Sequence, residues 1–353
     1  MPNRRGFLKT VGGAAAGMLA MSPFASALAQ SVRREVSIGG RRIRVVDIHA
    51  HGAIEGVYEA TRGTVLERNF PRNRNIEGRI DYMNERGIDV SALSVNQYWW
   101  YAADRDLAAR LIRIQDEGLA EWCARYPDRL VALSSVALQY PDLAAEQLEY
   151  AVNELGMRGA SIAGHVAGEA PSSPRFDPFW AKAVELDVPV FMHPGGADNV
   201  IRDGALDARG DLGNIIGNPL ETTVFLSHMI FDGTLDRFPE LKVVGAHGGG
   251  YLPSYLGRTE VACDVRNNAN CANTKRPSEY LRTQIFADTM VFSENGLRHL
   301  VAEMGAGQVV YGTDQPLNWP HTLDLIIESP SLSDDEKAAI LGGNLMRLLR
   351  IDS

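Results

Sequence analysis

Val188-Pro189-Val190-Phe191-Met192-His193-Pro194 is the stretch on which the folding pattern turns. Five apolar residues in a row read as a strand covered on both faces, a histidine stands at its C-terminal end, and a proline stops it. Similar runs occur at 43–48, 90–95, 130–136, 159–162, 241–245, 285–287 and 308–311. Most are apolar throughout rather than alternating, which is what a parallel sheet sandwiched between helices requires. Segments of helical period lie between them, at 76–86, 104–124, 142–155, 179–186, 221–231, 278–282 and 293–304. Eight strands, each followed by a helix, predict an α/β chain folded as a single (β/α)8 TIM barrel. The longer connections, 52–75, 164–177 and 195–219, read as loops over a site rather than as linkers, and 334–349 as one or two closing helices interrupted by Gly342-Gly343.

Residues 1–29 read differently. Arg4-Arg5-Gly6-Phe7-Leu8-Lys9 is a twin-arginine start, a weakly apolar Gly/Ala-rich stretch comes next, and Ala27-Leu28-Ala29 offers a small-residue cleavage site. The apolar stretch falls short of the about 20 residues that span a bilayer, so it predicts an export address to the periplasm and not an anchor. The barrel domain is then 30–353. The formal net charge is -9, and losing the leader removes Arg4, Arg5 and Lys9 and no acid, giving -12. An acidic chain without a basic run is a poor partner for nucleic acid or an anionic membrane surface. Of three cysteines, Cys263 and Cys271 could close a short polar loop or stay unpaired, whereas Cys123 sits in a helical pattern as a free thiol.

The strand ends carry the chemistry. Asp47-Ile48-His49-Ala50-His51 ends the first strand, His193 the fifth, His247 (opening Gly248-Gly249-Gly250) the sixth, and Gly312-Thr313-Asp314 the eighth. Strict alternation would send Asp47, His49 and His51 to the barrel interior together. Three imidazoles and a carboxylate brought to the C-terminal rim make an open site for a divalent cation, zinc first and manganese as the alternative. Asp47 is expected to hold a ligand histidine in place rather than bind the ion.

The ordered set Asp-x-His-x-His, His-Pro, His-Gly-Gly-Gly and Gly-Thr-Asp resembles the amidohydrolase superfamily, specifically its branch around aminocarboxymuconate-semialdehyde decarboxylase and γ-resorcylate decarboxylase. Phe238-Pro239, Lys242-Val243-Val244-Gly245, Gly257-Arg258 and Ile340-Leu341-Gly342-Gly343-Asn344 add to the likeness, which covers nearly all of 43–351. The resemblance implies one metal bound by His49, His51, His193 and Asp314, with His247 beside it as acid or base and Asp314 steering water. It implies a substrate-carboxylate arginine at Arg258, in some relatives reaching across a homodimer interface, and a second at Arg74 or Arg72. Residues 159–164 hold no lysine, which disfavours a bridged two-metal centre. Trp180, His165 and Tyr98-Trp99-Trp100-Tyr101 could line a pocket for a planar substrate or serve packing. His228, His299 and His321 lie off the strand ends, in ordinary surface or packing positions.

Two reactions suit these residues. One is non-oxidative decarboxylation of an unsaturated or aromatic carboxylic acid, with His247 moving the proton; the arginine match favours it. The alternative is hydrolysis of a lactone, ester or amide by the same ligand set, which the export leader favours.

Overall fold

A computed structural model describes residues 33–69, 76–95, 99–197, 199–207, 209–317 and 319–352. The chain divides into Met1–Ser31 and a compact unit, Val32–Ser353. The segment expected to be a leader, together with Arg72, Arg74 and Tyr98, lies outside the described residues.

The first elements are a short antiparallel hairpin, β1 (Val36–Ile38) and β2 (Arg41–Ile43), turned by Gly39-Gly40. Periodicity merges β2 into the first barrel strand, because three residues with two exposed arginines carry no strand signal of their own. The barrel strands are β3 (Val46–His51), β4 (Val90–Ser94), β5 (Leu130–Ala132), β6 (Ala160–Ile162), β7 (Val190–Met192), β8 (Val243–Gly245), β9 (Ile285–Asp288) and β10 (Val309–Val310). All pair in parallel, in two arcs of three (β3 to β5) and five (β6 to β10) strands. Two bridges complete the ring. Ser134 pairs with Ala160 between β5 and β6, and Ala50 with Gln315 between β10 and β3, where His51 N–H donates to Gln315 O at 2.8 Å.

The strand runs are doubly apolar because each face has its own core. Val46, Ile48, Val90, Ala92, Phe191, Val244 and Val310 fill the interior with Leu345 and Leu349, so the closing helix Asn344–Leu348 plugs the floor. The alternate residues, such as Ala50, Leu93, Val190, Val243 and Val309, pack outward against the helices. The helix Arg105–Arg125 shows how the outer layer is specified: Asp104 caps it by accepting from Leu107 N–H at 2.9 Å, and Ala108, Leu111, Ile112, Gln115, Asp116 and Leu119 make its buried face. Gly342 is needed where the closing segment passes the link between β2 and β3, since a Cβ there would overlap the Arg44 carbonyl.

Alternation breaks in β3. Val46 and Asp47 pair with Val90 and Ser91, but Ala50 and His51 pair with Leu93 and Ser94, leaving Ile48 and His49 opposite Ala92 alone. This β-bulge turns two successive residues inward. Ile48 joins the interior core and His49 the site above it, while Asp47 faces outward. The expectation that Asp47, His49 and His51 share one face is therefore corrected. Register at a bulge depends on the partner strand, which no local pattern reveals.

Candidate metal and catalytic site

His49, His51, His193, His247 and Asp314 converge at the C-terminal mouth of the barrel. One ligand atom each from His49, His193, His247 and Asp314 lies within 4.8 Å of the others. Asp314 Oδ1 is 2.8 Å from His51 Nε2, 3.1 Å from His49 Nε2 and 3.8 Å from His193 Nε2, and its Oδ2 is 3.8 Å from His247 Nε2. The side chains are sealed from solvent except for His247, which keeps 14% of its side-chain surface exposed. His247 has that position because residues 247 to 250 all take positive φ, a run that the three glycines permit. The backbone of Asp314 is also left-handed, at φ 55°.

Supporting groups orient the rings. His49 Nδ1–H donates to Asp288 Oδ2 at 2.7 Å, and His193 Nδ1–H donates to Pro194 O at 2.9 Å. With Nδ1 committed as donor, the Nε2 of each neutral ring is left with a lone pair, and both Nε2 atoms are buried without a hydrogen-bond partner. They face Asp314. Buried lone pairs gathered around a carboxylate are what a cation would satisfy, so these residues fit a metal ion.

Charge is arranged to match. Burial disfavours a charged His49, but Asp314 and Asp288 outweigh it and raise its pKa to about 10. Burial, with the neighbouring His49 and His247 rings, pushes His193 down to about 4. Burial likewise holds His51 well below the ordinary imidazole value. Asp314 stays well below the carboxylate range because the rings around it overcome its burial. The two carboxylates thus favour positive charge at His49 Nε2, which a proton or a bound cation can supply.

Asp288 was not foreseen. It accepts from His49 Nδ1, from His247 N–H (3.0 Å), Gly248 N–H (2.8 Å) and Met290 N–H (3.1 Å), joining β3 to the segment after β8 through one carboxylate. The signal was present: it stands two residues after inward-facing Phe286, one past the predicted strand end. Trp319 was also missed. Its indole N–H donates to Asp314 Oδ2 at 3.1 Å, and its ring stacks on Phe292. Asp47 takes the supporting place expected of it, accepting from His49 N–H (3.0 Å), Thr313 N–H (3.1 Å) and the Thr313 hydroxyl (2.7 Å).

Other candidates fall elsewhere. Trp180 is a correction: it is fully buried in the outer core, packed on Phe179, with its indole N–H donating to Pro171 O at 2.8 Å. An aromatic on an amphipathic helix turns to the core when its one polar atom finds a carbonyl there. Arg258 is exposed on the helix Leu256–Val265. Trp99, Trp100, Tyr101 and His165 line a cavity of about 290 Å³. His228 pairs with Asp232, His299 lies 3.9 Å from Glu303, and His321 meets the Tyr82 hydroxyl at 3.4 Å. Cys263 and Cys271 form a disulfide, and Cys123 is free. No helix among the described residues is long and apolar enough to cross a membrane.

Known proteins resemble this chain in sequence and in fold. The amidohydrolase family model matches residues 46–351. The 2-amino-3-carboxymuconate-6-semialdehyde decarboxylase of Dictyostelium discoideum is 31% identical over 282 residues, 78% of this chain and 76% of that protein. The γ-resorcylate decarboxylase of Rhizobium sp. (strain MTP-10005) is 31% identical over 297 residues, 78% of this chain and 86% of that protein. A 2,6-dihydroxybenzoate decarboxylase solved with 2,6-dihydroxybenzoate superposes with a TM-score of 0.76 at 26% identity, covering 88% of this chain and all of that one.

Proposed function

This chain belongs to the amidohydrolase family, and from that premise we propose that it is a metal-dependent, non-oxidative decarboxylase of an aromatic or unsaturated carboxylic acid. The 31% identity to two decarboxylases over 78% of the chain carries the choice of reaction. His49, His51, His193 and Asp314 would hold one divalent cation, for which nitrogen-rich ligation favours zinc over manganese. Such a cation supplies Lewis acidity toward a substrate oxygen.

The chain's own groups do the rest. His247, the ring of the cluster open to solvent, delivers a proton to the ring carbon that bears the carboxylate. The carbon–carbon bond then breaks, its electron pair returns to the conjugated system, and carbon dioxide leaves, so one proton is consumed per molecule released. Asp314 and Asp288 keep negative charge beside His247 and His49 throughout, and Trp319 fixes the Asp314 carboxylate plane.

Arg258 and a partner copy complete the reading. We assign Arg258 to a substrate carboxylate in the opposite subunit of a homodimer; the exposed apolar residues Val261 and Val265 on its helix, and Tyr255 just before it, support a face that meets another chain. Arg74 remains the proposed second anchor. The twin-arginine leader and the Cys263–Cys271 disulfide support a periplasmic location.

The deciding experiment is metal analysis followed by assay of carbon dioxide and acid release on hydroxybenzoates, muconates and lactones, repeated after chelation and with Asp314→Asn and His247→Ala. Carbon dioxide release that is lost in all three treatments supports the reading. Acid release from lactones alone, or full activity in either variant, refutes it.

A further inference from the structure

A second cluster of charge lies at the opposite ends of the strands from the metal residues. Arg44 stands just ahead of β3, Asp89 immediately before β4 and Arg129 immediately before β5, so all three sit where neighbouring strands begin. The chain entering the β1–β2 hairpin adds Arg33, and the hairpin itself adds Arg42. Arg33, Arg42, Arg44, Asp89 and Asp128 line a cavity of about 370 Å³ there.

Charge in this place does not balance. Asp89 is buried; its Oδ1 accepts from both Arg33 Nη2 and Arg42 Nη2, the latter at 2.7 Å, and its Oδ2 accepts from Val45 N–H at 2.7 Å. One carboxylate oxygen thus answers two guanidiniums. Arg129 spends its donors on neutral oxygens: Asn84 Oδ1 at 2.8 Å, Asp89 O at 2.9 Å and Ile88 O at 3.0 Å. Arg44 donates to the Asp352 carbonyl and reaches no carboxylate among the described residues. Asp128, the other acid, is exposed. Four guanidiniums against two carboxylates leave two positive charges in excess, in a chain whose formal net charge is -9.

The crowding acts on the guanidiniums themselves. Burial first, then the charges of Arg42 and Arg44, hold Arg33 below its ordinary pKa against the pull of Glu35. Burial, with Arg33 beside it, brings Arg129 down to about 10. Fastening the hairpin to the barrel needs one arginine on Asp89; the second on the same oxygen, and Arg44, are surplus to that task. A dianion among them would cancel the excess, and the planar guanidinium fork matches the paired oxygens of a phosphate group.

We infer that this end of the barrel carries a binding site for a phosphate group, with Arg33, Arg42 and Arg44 as its ligands and Arg129 behind them. The site is separate from the proposed reaction. A bound phosphate ties the hairpin to the start of β3, so its effect is on the stability of the fold.

Calorimetric titration of the metal-loaded full chain with inorganic phosphate, and separately with glycerol 3-phosphate, tests it, with sodium chloride holding ionic strength constant. Phosphate should bind and raise the Tm, and its affinity should fall about tenfold in Arg44→Gln and in Arg33→Gln, the loss of one charge-assisted contact each. Arg44 holds a backbone carbonyl and no carboxylate, so its variant reads out even if Arg33→Gln folds poorly. The metal residues are intact in both variants, so phosphate captured by the metal would bind all three proteins alike. That result, or no binding to the wild type, overturns the site. Malonate binding as tightly as phosphate through the same arginines would overturn the choice of a phosphate group. Tighter binding of glycerol 3-phosphate than of the free ion, lost in the same variants, supports the site and assigns the phosphate to a larger molecule; the reverse order supports it for the free ion.

Discussion

Replacing Asp288 with asparagine tests how the site is held. Four N–H groups converge on this carboxylate, two per oxygen. An asparagine has one acceptor oxygen, so two of those donors must face its NH2. If the amide oxygen stays with Gly248 and Met290, the NH2 meets His49 Nδ1 and drives the ring to the tautomer with hydrogen on Nε2, which blocks the lone pair aimed at Asp314. If the oxygen turns to His49, two backbone N–H groups lose their acceptor. Either arrangement forfeits at least one charge-assisted hydrogen bond, about 1.5–3 kcal/mol. Metal affinity should therefore fall roughly ten- to hundredfold, the range for losing the partner of a ligand histidine. Competition against a chromophoric chelator, with zinc and separately with manganese, measures it, and circular dichroism verifies the fold. A correctly folded variant whose Kd lies within about twofold of the wild type would refute the argument that Asp288 sets the His49 tautomer.

Trp319→Phe keeps the stack on Phe292 but removes the donor to Asp314 Oδ2, so kcat/KM for carbon dioxide release should fall about tenfold with Tm nearly unchanged; unaltered kinetics would show that the contact does not position Asp314. Asp116, buried against Ser134 and Ser135, has its pKa raised by burial from 3.8 to about 7. The folded state therefore favours its protonated form, and the stability this contributes is complete below about pH 4 and is lost as pH rises through about 7, roughly 4 kcal/mol in all. Asp116→Asn imitates the protonated form, so urea midpoints should swing in favour of the variant between about pH 4 and 7, the window set by those two values; parallel profiles would contradict it. Gly342→Ala forces a methyl against the Arg44 carbonyl and should cost about 1–3 kcal/mol, read from thermal or urea unfolding; an unchanged Tm would mean that the closing segment can shift freely.

The barrel and its rim histidines were legible because each functional residue ends an apolar run. His193 after Met192 and Asp314 after Tyr311-Gly312-Thr313 stand just past the C-terminal ends of recognisable strands. Helices were equally plain where a cap and a buried face coincide, as at Asp104 and Ser293. Non-local facts were hidden. The bulge that aims His49 exists only relative to β4, and Asp288 lies one residue beyond the point where apolar periodicity stops. Trp319 reaches Asp314 from an irregular loop with no period at all. Trp180 misled because an amphipathic helix presents an aromatic identically whether its indole meets a substrate or the Pro171 carbonyl.

The two seams of the barrel give the cluster a mechanical meaning. His49 and His51 belong to the three-strand arc, whereas His193, His247, Asp288 and Asp314 belong to the five-strand arc or to the loops leaving it. An ion gripped by both sets acts as a rivet across the join next to Ala50 and Gln315. Loading the protein and locking it shut become one equilibrium, and the empty scaffold should loosen first along that edge, at the mouth where substrate must enter.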